Sequence, residues 1–195
     1  SKPGAAPAGI LMSHNVIGLS NRGYGRILGQ CTATARLFYS LWLTVARDDD
    51  PFECVPLQQL PDGYKDLDAT KKMIREKMAY KSMSEVYADE QLKGFLDNCG
   101  PDTLINTFVV RHRDYHDIEH VNKLQVALSD AMNIFVGTDA CRVPLMLMQS
   151  GLDAKKHGEG LKEFKKRAHL VEKDPENPEN MNVMVNCCMN PWQWN

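Results

Sequence analysis

In its second half the sequence alternates between strand-type and helix-type patterns, and this alternation is its strongest constraint on the fold. A strand-type run at 104–110 precedes a segment at 117–136 whose apolar residues recur at helical spacing. This spacing predicts a helix that ends at Gly137, with these residues facing inward: Ile118, Val121, Leu124, Leu128, Met132 and Phe135. Strand-type runs at 143–149 and 182–189 enclose a second amphipathic segment at 158–171. The order strand, helix, strand, helix, strand is typical of a layered domain, and we predict the fold class α/β.

The sequence before residue 50 predicts two apolar helices. The first runs to about residue 17 and ends at Gly18, and the second covers 23–46. We therefore predict two units: residues 1–50, a pair of helices, and residues 51–195, a small α/β C-terminal domain. The pair carries too much apolar surface to stand alone, so we expect it to pack on a partner surface.

Shorter elements are predicted between the two helices and the alternating region. The pattern favours a strand at 52–57, a charged helix at 68–80 and a weaker helix within 84–99. Pro61-Asp62-Gly63 indicates a turn between the first two of these elements.

Charge and hydropathy exclude several function classes. The chain has 23 basic and 25 acidic residues, a net charge of −2, and thus no basic footprint for nucleic acid or an anionic membrane. Its apolar runs are shorter than the roughly 20 residues that span a bilayer. The six cysteines lie mostly within apolar runs, which favours a reducing compartment, and we predict a cytoplasmic protein. The chain begins at Ser1 without an initiator Met and stops at Asn195 just after a predicted strand, so we expect both ends to be cut from a longer protein.

Three histidines could form a metal site. His112, His116 and His120 are spaced at i, i+4 and i+8, which would place them on one face of a continuous helix. However, Arg113-Asp114-Tyr115 between them is typical of a turn. We therefore favour a polar strand–helix junction and predict no metal ligands.

The first residues of the chain combine the parts of an anion site. Ser1-Lys2-Pro3-Gly4 stands at the start of the first predicted helix. A hydroxyl, free backbone N–H groups and the positive end of a helix would meet there, which suits phosphate. Every capped helix has similar parts, so the pattern alone is weak.

Several segments resemble one enzyme family, in order along nearly the whole chain. The most specific are Ser1-Lys2-Pro3-Gly4-Ala5-Ala6, Leu11-Met12-Ser13-His14-Asn15-Val16-Ile17-Gly18-Leu19 and Gly23-Tyr24-Gly25 with Leu28-Gly29. Supporting segments are 52–61, Ile105-Asn106-Thr107-Phe108, Arg142-Val143-Pro144-Leu145 and Met189-Asn190-Pro191-Trp192. Together they resemble group II pyridoxal-phosphate-dependent decarboxylases, especially the tyrosine-decarboxylase-like branch.

The resemblance implies a fold, a cofactor and partners. The chain would be the C-terminal part of a fold-type-I enzyme, with two helices that finish the large cofactor domain. The family implies an obligate dimer that removes the α-carboxylate of an amino acid as CO2 with pyridoxal phosphate. Ser1 would contact the cofactor phosphate of the neighbouring subunit, and Gly4 would let the backbone approach it. Lys2 belongs to the same cofactor-binding segment, but it is not the Schiff-base lysine.

The sequence departs from the family at the residues that carry its chemistry. The family's Schiff-base lysine lies in an Asp-x-His-Lys motif, and this chain contains no His-Lys pair. Without that lysine the chain alone cannot run the reaction, so we assign it no catalytic residue. It would be one piece of a decarboxylase completed by a chain that carries the lysine. The alternative is a non-catalytic structural, storage or binding protein on the same scaffold.

Overall fold

A computed structural model describes residues 4–134, 139–143 and 145–192. Their helices and strands follow one another in a mixed α/β order, which confirms the predicted class. They are α1 Ala5–Ile17, α2 Tyr24–Thr44, β1 Phe52–Pro56, α3 Leu67–Met78, α4 Met83–Ala88, α5 Glu90–Asn98, β2 Ile105–His112, α6 Ile118–Met132, a 3-10 turn Ala140–Arg142, β3 Met148–Leu152, α7 Ala154–Arg167 and β4 Met181–Cys187.

The strands of the described residues form one four-stranded antiparallel sheet with the order β1-β2-β4-β3. Helix α6 follows β2, and α7 joins β3 to its neighbour β4. Successive residues of β2 pack into different hydrophobic clusters because side chains point to alternate faces along a strand. Phe108 packs with Trp42 of α2, whereas Val109 packs with Ile118 of α6 and Phe164 of α7.

Helix α2 joins the sheet to a separate cluster of helices. Its Trp42 ring lies on the ring of Phe108, with centroids 4.1 Å apart. Its Tyr39 and Leu43 belong to the other cluster, which α3, α4 and α5 complete. The expectation that both N-terminal helices lack a packing surface is therefore wrong for α2. The predicted division at residue 50 stays a prediction, although α2 shares its core with later elements.

The short helices of this cluster begin at residues that satisfy their free N–H groups. Asp66 accepts a hydrogen bond from the Ala69 N–H at the start of α3. Ser82 and Glu85 form a reciprocal capping box at α4. Asp89 ends α4 and accepts bonds from two N–H groups of α5. The helix expected within 84–99 is thus two helices, separated at Asp89 because its side chain caps the second.

Helix α6 uses two polar side chains to reach the backbone of separate strands. Gln125 is fully buried; its Oε1 accepts from the Val110 N–H at 3.1 Å, and its Nε2 donates to the Val110 carbonyl at 2.6 Å. One turn earlier, Oδ1 of Asn122 accepts from the Asn182 N–H of β4 at 2.6 Å. These bonds satisfy backbone groups that a sheet neighbour would otherwise pair.

The third strand and the last helix lie away from their predicted positions. The expected strand at 143–149 is wrong in its bounds, because β3 is Met148–Leu152. The apolar run before it packs instead: Leu147 is buried, and its N–H donates to the Met132 carbonyl. Helix α7 begins at Ala154, where Asp153 caps it, but its backbone is non-helical at Gly158, with φ of 46° and ψ of −127°. The part after this kink begins where the sequence predicted the helix to start. It ends before 171 because His169 adopts a positive φ of 55°.

Helix α6 covers most of the segment at 117–136 for which the sequence predicts a helix. Its N-terminal cap is Asp117, and the expected inward residues Ile118 and Val121 are buried. Gln125 and Ser129 are buried as well, which the apolar pattern did not indicate. The expected inward Phe135 and the expected terminator Gly137 lie outside the described residues.

We predict that Gln125→Glu destabilises the protein at neutral pH by at least about 2 kcal/mol, because a buried carboxylate cannot donate to the Val110 carbonyl. Burial raises the pKa of the introduced carboxyl above its unfolded value of about 4.3. Since the folded state then binds the proton more tightly, the loss should shrink as pH falls toward 5. Urea unfolding at several pH values measures it.

The control for this prediction is Gln91→Glu on the exposed side of α5. Its effect should stay within about 0.5 kcal/mol at every pH. Equal free energies of unfolding for the two variants would show that the Gln125 side chain does not hold β2.

Candidate functional site

The predicted cofactor-binding residues lie at the start of α1. Ser1 and Lys2 lie outside the described residues. Gly4 is the exposed N-cap residue of α1, with φ of −63° and no side-chain capping bond. The first turn contains no acidic residue, and a Cβ added at Gly4 would meet nothing within 4 Å. Among the described residues, no side chain or carboxylate therefore competes for the N-terminal N–H groups of α1.

Helix α1 has no buried residue. Its apolar side chains stand open on one stretch of surface, and Val16 is 83% exposed. The exposed apolar residues of this stretch are Ile10, Leu11, Met12, Val16, Ile17 and Leu19. Contact with α2 is limited to features such as the edge-on packing of the His14 and Tyr24 rings, 5.8 Å apart. An apolar surface of this kind is typical of a contact with another protein surface.

The three candidate histidines are engaged by neighbours at the strand–helix junction. His120 stacks on Tyr115, with ring centroids 4.9 Å apart, and bonds with its capping residue Asp117. The His112 ring packs on the same Tyr115 ring, with centroids 5.0 Å apart. His116 directs Nδ1 toward the His169 carbonyl at 2.9 Å. The described residues contain no group of three or more side chains suited to a metal ion. Hydrogen bonds from the His120 backbone and ring lower the pKa of Asp117, as expected for a helix cap.

An arginine–glutamate cluster lies beside these histidines. Arg111 is 4% exposed, and its Nε donates to Glu53 Oε1 at 2.5 Å. Arg113 contacts the other carboxylate oxygen of Glu53 at 3.3 Å. Nη1 of Arg111 donates to the carbonyls of His112 and Arg113. These bonds tie β1 to the turn after β2, so the cluster is structural rather than free to bind a ligand.

The cysteines are free thiols rather than disulfides. Burial raises the pKa of Cys99 to about 12 and that of Cys188 to about 11. Burial also raises the pKa of Cys54 far above its ordinary value. Thiols held neutral in this way are poor nucleophiles and metal ligands. The adjacent pair Cys187-Cys188 shows the expected alternation, since Cys188 is buried and Cys187 is half-buried.

Comparison with known proteins adds no relative. Models of known protein families give no match to this chain, and curated proteins give no significant match. Among the described residues, no helix combines the length and the apolar character needed to cross a bilayer. The family resemblance therefore remains a hypothesis that depends on the residues quoted above.

Sequence patterns did not indicate two features of this surface. The ion-pair cluster joins residues that are far apart in the sequence, so no local pattern of residues predicts it. A cleft beside β1, described below, is equally nonlocal. One residue did indicate the ion-pair cluster. Arg111 follows the apolar run Phe108-Val109-Val110 in β2, and a buried arginine requires a partner.

We predict that Glu53→Gln lowers the free energy of unfolding by about 3 kcal/mol, because Arg111 would keep a buried charge without its carboxylate. Thermal and urea unfolding measure the loss. Glu76→Gln breaks the exposed Lys72–Glu76 pair at 3.9 Å and should cost less than about 1 kcal/mol. Similar losses for both variants would contradict a structural role for the Glu53 cluster.

Proposed function

We propose that the chain is the C-terminal part of a fold-type-I, pyridoxal-phosphate-dependent amino-acid decarboxylase. The observation that carries the proposal is α1, a helix with an open N-terminus, no buried residue and an exposed apolar stretch. It coincides with the segment in which the sequence most closely resembles that family. A helix of this kind requires a covering surface, which the family would supply from the large domain and from the neighbouring subunit.

The residues at the start of α1 fit the phosphate of the cofactor. Within the part of the chain that the structure describes, no side chain caps the helix, no carboxylate occupies its first turn, and a Cβ at Gly4 would meet nothing within 4 Å. Backbone N–H groups would hold the phosphate oxygens there, with the positive end of the helix favouring their charge. Ser1 and Lys2 would add side-chain contacts if the resemblance holds.

The part played by this chain would be binding and positioning. When bound, pyridoxal phosphate supplies an acceptor for the electron pair released by loss of CO2. The Gly4 segment would anchor the phosphate end, and α1 would seal the interface against water. The lysine that attaches the cofactor would come from another part of the protein or from a complementary chain. The substrate would be a small amino acid, in a cytoplasmic oligomer.

A non-catalytic structural, storage or binding role is the second candidate. It is supported by the lack of a His-Lys pair in the sequence. Two measurements on the native material separate the candidates: an absorbance spectrum before and after borohydride reduction, and intact mass under denaturing conditions. A cofactor band that borohydride shifts, with a lysine-bearing polypeptide present, supports the enzyme. A colourless protein that contains only this chain would overturn it.

We predict that Gly4→Asp reduces retention of pyridoxal phosphate in the assembled enzyme by at least about tenfold. An aspartate at the N-cap would itself accept the free N–H groups and would repel the phosphate. The same substitution should stabilise α1, so the loss could not arise from unfolding. Cofactor absorbance after gel filtration measures retention without requiring activity.

Gly160→Asp is the matched control. Gly160 is exposed on α7, and a Cβ there likewise meets nothing within 4 Å. The variant has the same added charge away from α1, so retention should stay within about twofold of the parent, since the dipole effect is confined to the first turn of a helix. Equal retention in the two variants would contradict the phosphate site.

We also predict that Val16→Glu dissociates the assembly that covers α1. Val16 is 83% exposed on the chain alone, and a charge buried in an apolar interface without a partner is strongly unfavourable. Val171→Glu is the control, because Val171 is 64% exposed on a different part of the protein. Sedimentation velocity should show a smaller species for Val16→Glu alone. An unchanged sedimentation coefficient would show that no partner covers this stretch.

A further inference from the structure

A cleft of about 430 Å³ lies beside β1, away from the start of α1. Its walls come from α2, β1, the segment that follows β1, the start of α3 and the end of α7. Apolar side chains including Leu43, Val55, Leu60 and Leu67 form much of the lining. Both the size and the lining are typical of a small-molecule site.

One wall of the cleft is fixed by two polar side chains, buried Tyr39 and half-buried Arg167. The Tyr39 hydroxyl donates to the Gln59 carbonyl at 3.1 Å. The Arg167 guanidinium donates to the carbonyls of Gln58 at 2.9 Å and Leu57 at 2.5 Å. Arg167 is itself positioned over the Phe164 ring, 5.4 Å from its centroid. A wall held in this way is preformed, which lowers the entropy cost of binding a ligand.

Three cationic side chains line the cleft, and they differ in their partners. Arg167 has no carboxylate partner among the described residues, but its guanidinium is held by two backbone carbonyls. Glu53 reaches the lining, but Arg111 and Arg113 already occupy its two oxygens. Lys65 pairs with Asp62 at 2.9 Å. Lys71 is half-buried on α3, and no hydrogen bond or ion pair joins it to another side chain among the described residues. The cleft therefore favours an anionic group at its α3 side.

Oε1 of Gln58 also lacks a hydrogen-bond partner among the described residues, but it is buried and therefore closed to a ligand in the cleft. A ligand that fits the cleft thus combines an anion with an apolar body.

We propose that this cleft binds a small organic carboxylate with an apolar, ring-sized body. The carboxylate would pair with Lys71, and the apolar body would cover Leu43 and Leu67. No covalent step is involved. The cleft is separate from the start of α1, so this site does not depend on the decarboxylase proposal.

The test titrates the chain with 4-hydroxyphenylacetate, which carries both features, by calorimetry and by chemical-shift mapping. We expect a Kd of about 1 mM or tighter, given the usual efficiency of a ligand of this size. Lys71→Met should weaken binding by at least about tenfold, because it removes the charged partner. Lys72→Met, one residue along α3 and outside this lining, should change the Kd by less than about twofold.

Further ligands and variants separate the contributions. Lys71→Arg keeps the charge and should retain binding, which excludes misfolding as the cause of the loss. The neutral 4-hydroxyphenylacetamide should bind weakly to the parent and to Lys71→Met alike, because the carboxylate and Lys71 act as a pair.

Three results would overturn the proposal. One is an absence of binding at ligand concentrations of about 10 mM, where a site of the expected affinity is mostly filled. Another is equal affinity of the parent and of Lys71→Met for 4-hydroxyphenylacetate. The third is a set of chemical-shift changes that excludes β1 and the start of α3. Loss of binding in Leu67→Trp, which would fill the cleft, supports it.

Discussion

The stacking of Trp42 on Phe108 is the contact on which the rest of this fold depends. It fixes α2 against β2 with ring centroids 4.1 Å apart, and a buried hydrogen bond from Asn106 to the Ala35 carbonyl reinforces it at 3.0 Å. Because α2 also supplies Tyr39 and Leu43 to the cluster of α3, α4 and α5, the same contact positions that cluster against the sheet. The cleft beside β1 exists only because both sets of contacts hold α2 in place.

Elements whose pattern agrees with their burial could be predicted from the sequence. Helix α2 and strand β2 are examples, since their apolar residues face the cores that the spacing indicated. Strand β3 could not be predicted, because it is an exposed edge strand while the apolar run before it packs as a loop. The burial of Gln125 could not be predicted for a related reason. Its burial depends on the backbone of a distant strand, which no local pattern contains.

The candidate site was predicted only in part. The sequence indicated a helix that starts within Ser1-Lys2-Pro3-Gly4, and α1 begins at Ala5 with Gly4 as its N-cap. The anion-binding role of this N-terminus stays a prediction. The histidine spacing was ambiguous, because the same interval suits a metal site and a turn between a strand and a helix. The contacts in the structure fit the turn. Tyr115 stacks on the His120 ring, Asp117 bonds with Nδ1 of His120, and the His169 carbonyl contacts Nδ1 of His116.

The two surfaces that remain open differ in kind, and that difference separates two functions. The stretch on α1 consists of exposed apolar side chains on a helix that buries none of its residues, as expected of a surface that another polypeptide covers. The cleft beside β1 is concave, and it combines apolar walls with the amine of Lys71, which has no partner among the described residues. A protein partner gains little from a single lysine inside a small cavity, whereas a small carboxylate gains a charged hydrogen bond and apolar contact together. Assembly through α1 and ligand binding beside β1 can therefore be lost independently.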